Sequence, residues 1–278
     1  MLLRVLPRGP GFPLFPMPGS LPPQLRGPDA GGVIPPIGKS PRWPIVVDMR
    51  PSESPEPATP AEPAATVILL RDSARGVEVL LLERPHHRGS FAGAWVFPGG
   101  RVDPEDAALS APGDDQAAAR QAAARETLEE TGLTVTVDAL VTVARWTPSE
   151  TQARRFQTWF YYAKAPGDPV VLNPDESVDH IWISPAEALD RHASGRFRLA
   201  PPTWVSLSAL VGTSSAEDAL ARARAADPEY FASRFHADPL VVVWEGDVSF
   251  GAPELVDAEG PRHRLDMTGL PWRYQRSS

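Results

Sequence analysis

Two runs of aliphatic and β-branched side chains, ATVILLRD from Ala65 and GVEVLLLER from Gly76, flank the turn-like Ser73-Ala74-Arg75-Gly76. Apolar runs of this length bounded by turn residues predict a β-hairpin. A shorter run, Trp95 to Phe97, is stopped by Pro98, Gly99 and Gly100, and paired glycines let a backbone approach a ligand closely. A long helix is predicted from Asp114 or Asp115, either of which can cap it and complement its positive end. It stops at Gly132, a residue suited to the left-handed position that closes helices. The stretches TVTVDALVTVARW and RRFQTWFYYAKA predict two long strands joined by the polar TPSETQA, and VDHIWIS predicts another. Ser184-Pro185-Ala186-Glu187 has the spacing of a capping box with proline at the first helical position, predicting a helix through about His192. Two more helices follow, PPTWVSLSALVG and SSAEDALARARAAD, with Ser214 and Glu217 spaced as a capping box. LVVVWEGD and PRHRLDM then pair as an edge hairpin before a polar tail.

Strands, one long helix, more strands and then helices indicate a mixed α/β or α+β architecture. Trp146, Trp159, Phe160 and Trp182 are read as core residues, the other reading being that one of them stacks on a base. Residues 1–64 differ from the rest and hold 17 of the 33 prolines. Proline removes backbone donors and blocks regular elements, and so little apolar material cannot offset the entropy of ordering. This segment is expected to be a disordered or extended leader; the other reading is a proline-rich ligand for a binding module. The chain thus divides into a leader at 1–64, one domain at 65–199, and a helical extension with a terminal hairpin at 200–278.

Charge and composition narrow the partners. A net charge of −8 and a pI near 5.3 argue against general nucleic-acid or membrane-surface binding, since both select basic faces. With no cysteine in 278 residues, disulfides, thiolate metal sites and cysteine nucleophiles are excluded. No apolar run approaches the length of a membrane span, and early prolines interrupt any signal-peptide segment. A soluble, cytoplasmic protein with a small-molecule substrate is the expectation.

The candidate chemistry lies near the end of the long helix, where Arg125, Glu126, Glu129 and Glu130 fall within six positions. At about 100° per residue, the three glutamates share an arc of roughly 100°, with Ala117, Ala124 and Leu128 opposite. Like charges on one face are costly without a cation, and hard divalent ions prefer oxygen ligands. The face is read as a magnesium or manganese site, against the alternative of an ordinary solvated acidic face. Arg84 is either a phosphate contact or an ordinary strand-end arginine, and Arg154 and Arg155 are either phosphate grips or surface charge. His86 and His87 lack metal-ligand spacing to any other histidine and are read as structural, or as contacts to a base.

RETLEETGL, preceded by Gly99-Gly100, resembles the Nudix box, whose pattern is G-x5-E-x7-R-E-u-x-E-E-x-G-u with u apolar. Arg125, Glu126, Glu129, Glu130, Gly132 and Leu133 match its second half, with Thr127 where an aliphatic residue is commoner. The first half departs. Six positions beyond Gly100 stands Asp106 in place of glutamate, and 18 residues rather than seven then separate it from Arg125. Either an insertion of about eleven residues lengthens the loop before the helix, or the first carboxylate has been lost. The Pro112-Gly113 turn and the new helix cap within the segment favour insertion. LLLERPHHRGSFAGAWVFPGGRVD, RRFQTWFYYA and SPAEAL are similar to the coenzyme A diphosphatase branch, although Gly89 stands where that branch has arginine.

The resemblance implies a Nudix fold, a mixed sheet between helices, and hydrolysis of a nucleoside diphosphate linked to another moiety, coenzyme A being the first to consider. It implies Mg²⁺ or Mn²⁺ held by Glu126, Glu129, Glu130 and the Gly100 carbonyl. A water proton would pass to one of these carboxylates or to Glu176, Arg125 would orient a glutamate, and Gly99, Arg84 and Arg155 would line the substrate. The alternative function is a non-catalytic nucleotide-sensing module. The extension could form a homodimer contact or close over the site. Deleting residues 1–48 is expected to leave hydrolytic activity unchanged, as steady-state assays of the full and shortened chains would show.

Overall fold

The computed structural model describes residues 60–87, 91–150 and 155–277, so most of the predicted leader, and Arg154, lie outside the described residues. In chain order the elements are β1 (Glu62–Ser73), β2 (Gly76–Glu83), β3 (Trp95–Val96), β4 (Gly99–Arg101), α1 (Pro104–Ala108) and α2 (Asp115–Thr131). These are followed by β5 (Val141–Thr147), β6 (Phe156–Lys164), β7 (Asp179–Ile183) and α3 (Pro185–Ala193). The extension contributes α4 (Pro201–Leu210), α5 (Ala216–Ala225), β8 (Glu229–Ala232), β9 (Arg234–Ala237), β10 (Leu240–Val243), β11 (Arg262–Asp266) and β12 (Arg273–Ser277).

The main sheet runs β3-β2-β1-β6-β5-β8, with β4 also on β1 and β7 also on β2. β1 and β2 form the predicted hairpin, Ser73 opposite Gly76. Strand β1 starts at Glu62, three residues before the expected Ala65, because Glu62, Pro63 and Ala64 pair in parallel with Phe156, Gln157 and Thr158. Its first half pairs antiparallel with β4 and its second half with β2, which makes it the central strand, buried on both faces.

One face of the sheet, formed by Val67, Leu69, Leu80, Leu82, Tyr161 and Ala163, packs on Ala119, Ala122 and Ala123 of α2. The other face, including Ile68, Leu70, Val79, Leu81 and Phe160, meets apolar residues of α3, α4 and α5. This is the expected mixed sheet between helices. Helix α2 is capped as predicted: the Asp114 carboxylate accepts from the Ala117 N–H, and Gly132 closes the helix with φ 70°. Ser184 likewise caps α3 through the Glu187 N–H.

Several expectations are corrected. Only the part of TVTVDALVTVARW from Val141 onward is strand (Val141–Thr147); residues 134–136 are irregular and Val137–Ala139 form a 3-10 turn. Leu133, Val135 and Leu140 still reach the core, so alternating burial here does not mark a paired strand. Helix α5 is capped one residue later than expected, by Ser215 through the Asp218 N–H, while Ser214 Oγ donates to the Asp218 carboxylate. Trp146, Trp159 and Phe160 are buried as predicted; Trp182 is only partly covered, with the Arg71 guanidinium 4.3 Å from its ring centroid.

The largest difference is at the end of the chain. The predicted hairpin of β10 and β11 is present, but it forms the centre of a separate antiparallel sheet, β12-β11-β10-β9. The expected polar tail is β12, and the segment EYFA is β8, which lies parallel to β5 at the edge of the main sheet. The second sheet is built around Asp247. This buried carboxylate accepts from Nε (2.7 Å) and Nη2 of Arg264, from the His263 N–H (3.0 Å) and from Ser249. Burial pushes the Asp247 carboxyl up, but these donors outweigh it and hold the group far below the usual carboxylate range. Removing one partner of such a pair leaves an uncompensated buried charge. Asp247→Ala is therefore expected to cost about 3–5 kcal/mol in chemical denaturation, with hydrogen exchange accelerated first in β10 and β11.

Candidate active site

The carboxylates of α2 lie on the same side of the helix as its buried alanines, a placement that the helical spacing alone left open. Ala118, Ala119, Ala122 and Ala123 pack inward, and further along the same side stand Glu126, half-buried, and Glu130, only 6% exposed. Leu128, on the opposite side, is 49% exposed. Alanine occupies so many positions around α2 that apolar periodicity does not identify the buried stripe. What identifies it is the strand beneath.

That strand is β4, whose first two residues, Gly99 and Gly100, carry no side chain. A Cβ on Gly100 would lie 2.2 Å from Glu126 Oε1, and one on Gly99 2.2 Å from the Ala65 carbonyl oxygen. Gly99 also has φ 154° and donates its N–H to Glu130 Oε2 at 2.8 Å. The two glycines thus bring carboxylates of α2 directly onto the backbone.

A third carboxylate arrives from the loop before β7. Asn173 donates its N–H to the Glu130 carbonyl (3.1 Å) and accepts at its own carbonyl from the N–H groups of Glu176 and Ser177, both 3.1 Å. Its side chain also accepts from the Asp175 N–H. Gly132 assists, since a Cβ there would approach Val171 Cβ to 3.1 Å. The loop is thereby fastened to the end of α2, and Glu126, Glu130 and Glu176 each present an oxygen within 4.8 Å of the others. Glu176 is the exposed member. Glu129 is outside this trio, and its carboxylate accepts from Arg125 at 3.0 Å.

Arg125 is held on several sides. It donates to Asp106 through Nε (3.1 Å) and Nη2 (2.8 Å), to the Arg101 carbonyl (3.0 Å), and to Glu126 and Glu129 through Nη1 (3.0 Å each). Asp106 is 3% exposed and closes a capping box with Asp103 at the start of α1. The hydrogen bond to Asp106 is the main cause that raises the Arg125 guanidinium above its ordinary value. Asp106 therefore meets Arg125 despite the long sequence separation, a contact the spacing alone left open.

Electrostatics mark the trio. Burial raises the Glu130 carboxyl to about 8, against the pull of the Gly99 N–H, and the charges of Glu126 and Glu176 raise it further while Arg84 lowers it. Burial also raises Glu126, opposed by Arg125. Three mutually repelling carboxylates with one acidic proton affinity near neutrality fit a hard cation, whose charge would replace that proton.

Of the other predicted residues, Arg84 is close enough to act on Glu130, and its backbone exchanges hydrogen bonds with Gly93 and Ala94. Arg155 begins the connection into β6 and donates to the Pro148 carbonyl at 3.3 Å. His86 lies 3.2 Å from Glu83, and both His86 and His87 are exposed. Asn173, which positions Glu176, was not anticipated; its signal in the sequence was the short polar NPDES turn before a strand.

The model of the NUDIX domain matches residues 60–202, and the chain belongs to the Nudix family. A Caenorhabditis elegans protein provisionally named nudix hydrolase 7 is 28% identical over 183 residues, which is 53% of this chain and 59% of that protein. The chain thus spans less than two thirds of that relative. The crystal structure of a NUDIX hydrolase from Alicyclobacillus acidocaldarius is 26% identical, with a TM-score of 0.53 over 59% of this chain and 96% of that one. No helix among the described residues is long and apolar enough to cross a membrane.

The Glu130 shift fixes the sign of a pH dependence. The folded carboxyl holds its proton to about 8 and an unperturbed glutamate only to 4.5, so the folded state binds more protons between these values. Stability of the metal-free protein is expected to fall as pH rises through that window, with the full cost present above it. Thermal melts should show the midpoint several degrees lower at pH 8.5 than at pH 5.5. Glu130→Gln should flatten this dependence, and added Mn²⁺ should restore the wild-type midpoint at pH 8.5.

Proposed function

We propose that this chain is a divalent-metal-dependent pyrophosphohydrolase acting on a nucleoside diphosphate joined to a second group. The observation that carries this reading is the convergence of Glu126, Glu130 and Glu176 within 4.8 Å beside the side-chain-free strand at Gly99 and Gly100. Glu126, Glu130 and Glu176 hold Mg²⁺ or Mn²⁺, with the Gly100 carbonyl as a further oxygen donor and Glu129 on the exposed rim. A bound divalent ion neutralises phosphoryl oxygens and lowers the pKa of a water.

The chain's own residues do the rest. Arg84 adds a positive charge on the side of Glu130 and grips a phosphoryl oxygen. Glu176, the exposed carboxylate, takes the proton of the attacking water. Arg125, clamped by Asp106, fixes the carboxylates of Glu126 and Glu129 without touching the reacting atoms. Asp106 takes the place of the first box glutamate, and the following segment through the Pro112-Gly113 turn is an insertion that leaves the Asp106–Arg125 contact intact. Arg155 and Gly99 border the substrate. Coenzyme A is the first candidate, on the similarity of the segment approaching the box.

The test is hydrolysis by the full chain, with Mg²⁺ or Mn²⁺, of coenzyme A, ADP-ribose, dinucleoside polyphosphates and NADH. At least one is expected to be cleaved, with activity abolished by chelation; turnover of none of them would refute the enzymatic reading. Glu126→Gln, Glu130→Gln and Glu176→Gln should each lower kcat by about a hundredfold or more, with unchanged circular dichroism.

A further inference from the structure

One row of side chains crosses the main sheet on the face that carries α2. The registers place Gly100 of β4 opposite Ala65 of β1, Ala65 beside Trp159 of β6, Trp159 opposite Arg145 of β5, and Arg145 beside Tyr230 of β8. The row begins at the glycine under Glu126 and ends at an exposed ring on the extension, Tyr230 being 56% exposed.

Two local features build its outer end. Thr142 and Arg145 are three positions apart and would face opposite sides of a regular strand. The register shift between Thr142 and Ala144 adds one residue, so both stand on the α2 face, Thr142 against Gln116 and Arg120 and Arg145 opposite Trp159. On β8, Phe231 is buried and stacks on Trp146 at 3.9 Å and 7°, which pins the register. Its neighbour Tyr230 is thereby turned to the other face.

The result is a cation held between two rings. The Arg145 guanidinium carbon lies 5.1 Å from the Trp159 centroid and 4.7 Å from that of Tyr230, whose rings meet edge to face at 6.5 Å. Arg145 forms no hydrogen bond or ion pair to a carboxylate among the described residues, and its Nε is buried without a partner. An arginine fixed by aromatic faces with unused donors is organised in advance for a planar acceptor-bearing ligand. Strands lie about 4.8 Å apart, so Arg145 is roughly 14 Å along the row from Gly100, the scale that separates a nucleotide's phosphates from the far edge of its base.

We infer that Arg145 and Tyr230, backed by Trp159, form the platform that receives the nucleobase of the substrate. The base stacks on the exposed ring of Tyr230 while the Arg145 donors meet acceptors on its edge. This deepens the proposed function, resting on the pyrophosphate lying at Glu126, Glu130 and Glu176. It also gives the extension a part in substrate selection, because Tyr230 lies beyond the matched family domain, which ends at residue 202.

The test separates base recognition from hydrolysis. The full chain with Mn²⁺ is titrated calorimetrically with α,β-methylene analogues of ADP, GDP, UDP and CDP, and with methylenediphosphonate as the base-free control. At least one nucleotide is expected to bind about tenfold tighter than the control, in line with the strength of base–aromatic stacking. Arg145→Ala and Tyr230→Ala should each remove most of that difference while changing control binding less than twofold, and Tyr230→Phe should retain it. The platform is wrong if no nucleotide exceeds the control, or if the two alanine variants weaken nucleotide and control equally or leave both unchanged. Differential binding that these variants abolish upholds the platform even if the substrate panel is not hydrolysed, in which case only the catalytic reading falls.

Discussion

Carboxylates that would repel one another are forced together on the buried side of a helix, and the rest of the structure serves that placement. Glu126 and Glu130 continue the stripe of alanines by which α2 packs on the sheet. They can do so only because β4 offers no side chains beneath them. A helix of larger apolar residues would stand too far off, and a strand with any Cβ at Gly100 would collide with Glu126. The small residues of α2 and the glycines of β4 are therefore one device: they set the distance at which acidic groups can share a low-dielectric site.

Arg125 is the counterweight. Its five donors are distributed over Asp106, Arg101, Glu126 and Glu129, and the buried Asp106 supplies much of the charge that keeps it in place. The helix α1 exists to bring in that carboxylate, with Asp103 as its cap. The contact depends on where α1 lies and not on the number of residues between it and α2.

Much of this was legible in the sequence. The Arg-Glu and Glu-Glu pairs, the two glycines and the helix boundaries at Asp114 and Gly132 were readable because local chemistry determines them. Glu176 was readable only as a candidate, since a loop carboxylate gains meaning from the Asn173 turn that aims it. The buried face of α2 was not readable because alanines on all sides carry no directional signal. The second sheet was underestimated because EYFA and the final residues are short and polar, and pairing with neighbours distant in sequence makes them strands. Platform residues such as Arg145 escaped for a related reason: one extra residue in β5 decides which side it faces, and a bulge leaves no mark in composition.

The bond from the Asn173 N–H to the Glu130 carbonyl ties together two things usually treated as separate, a helix end and a surface loop. Glu130 thus contributes its side chain to the acidic trio and its main chain to the anchor of the loop that supplies the third member. The position of Glu176 and the position of Glu130 are thus fixed by one shared contact at the end of α2.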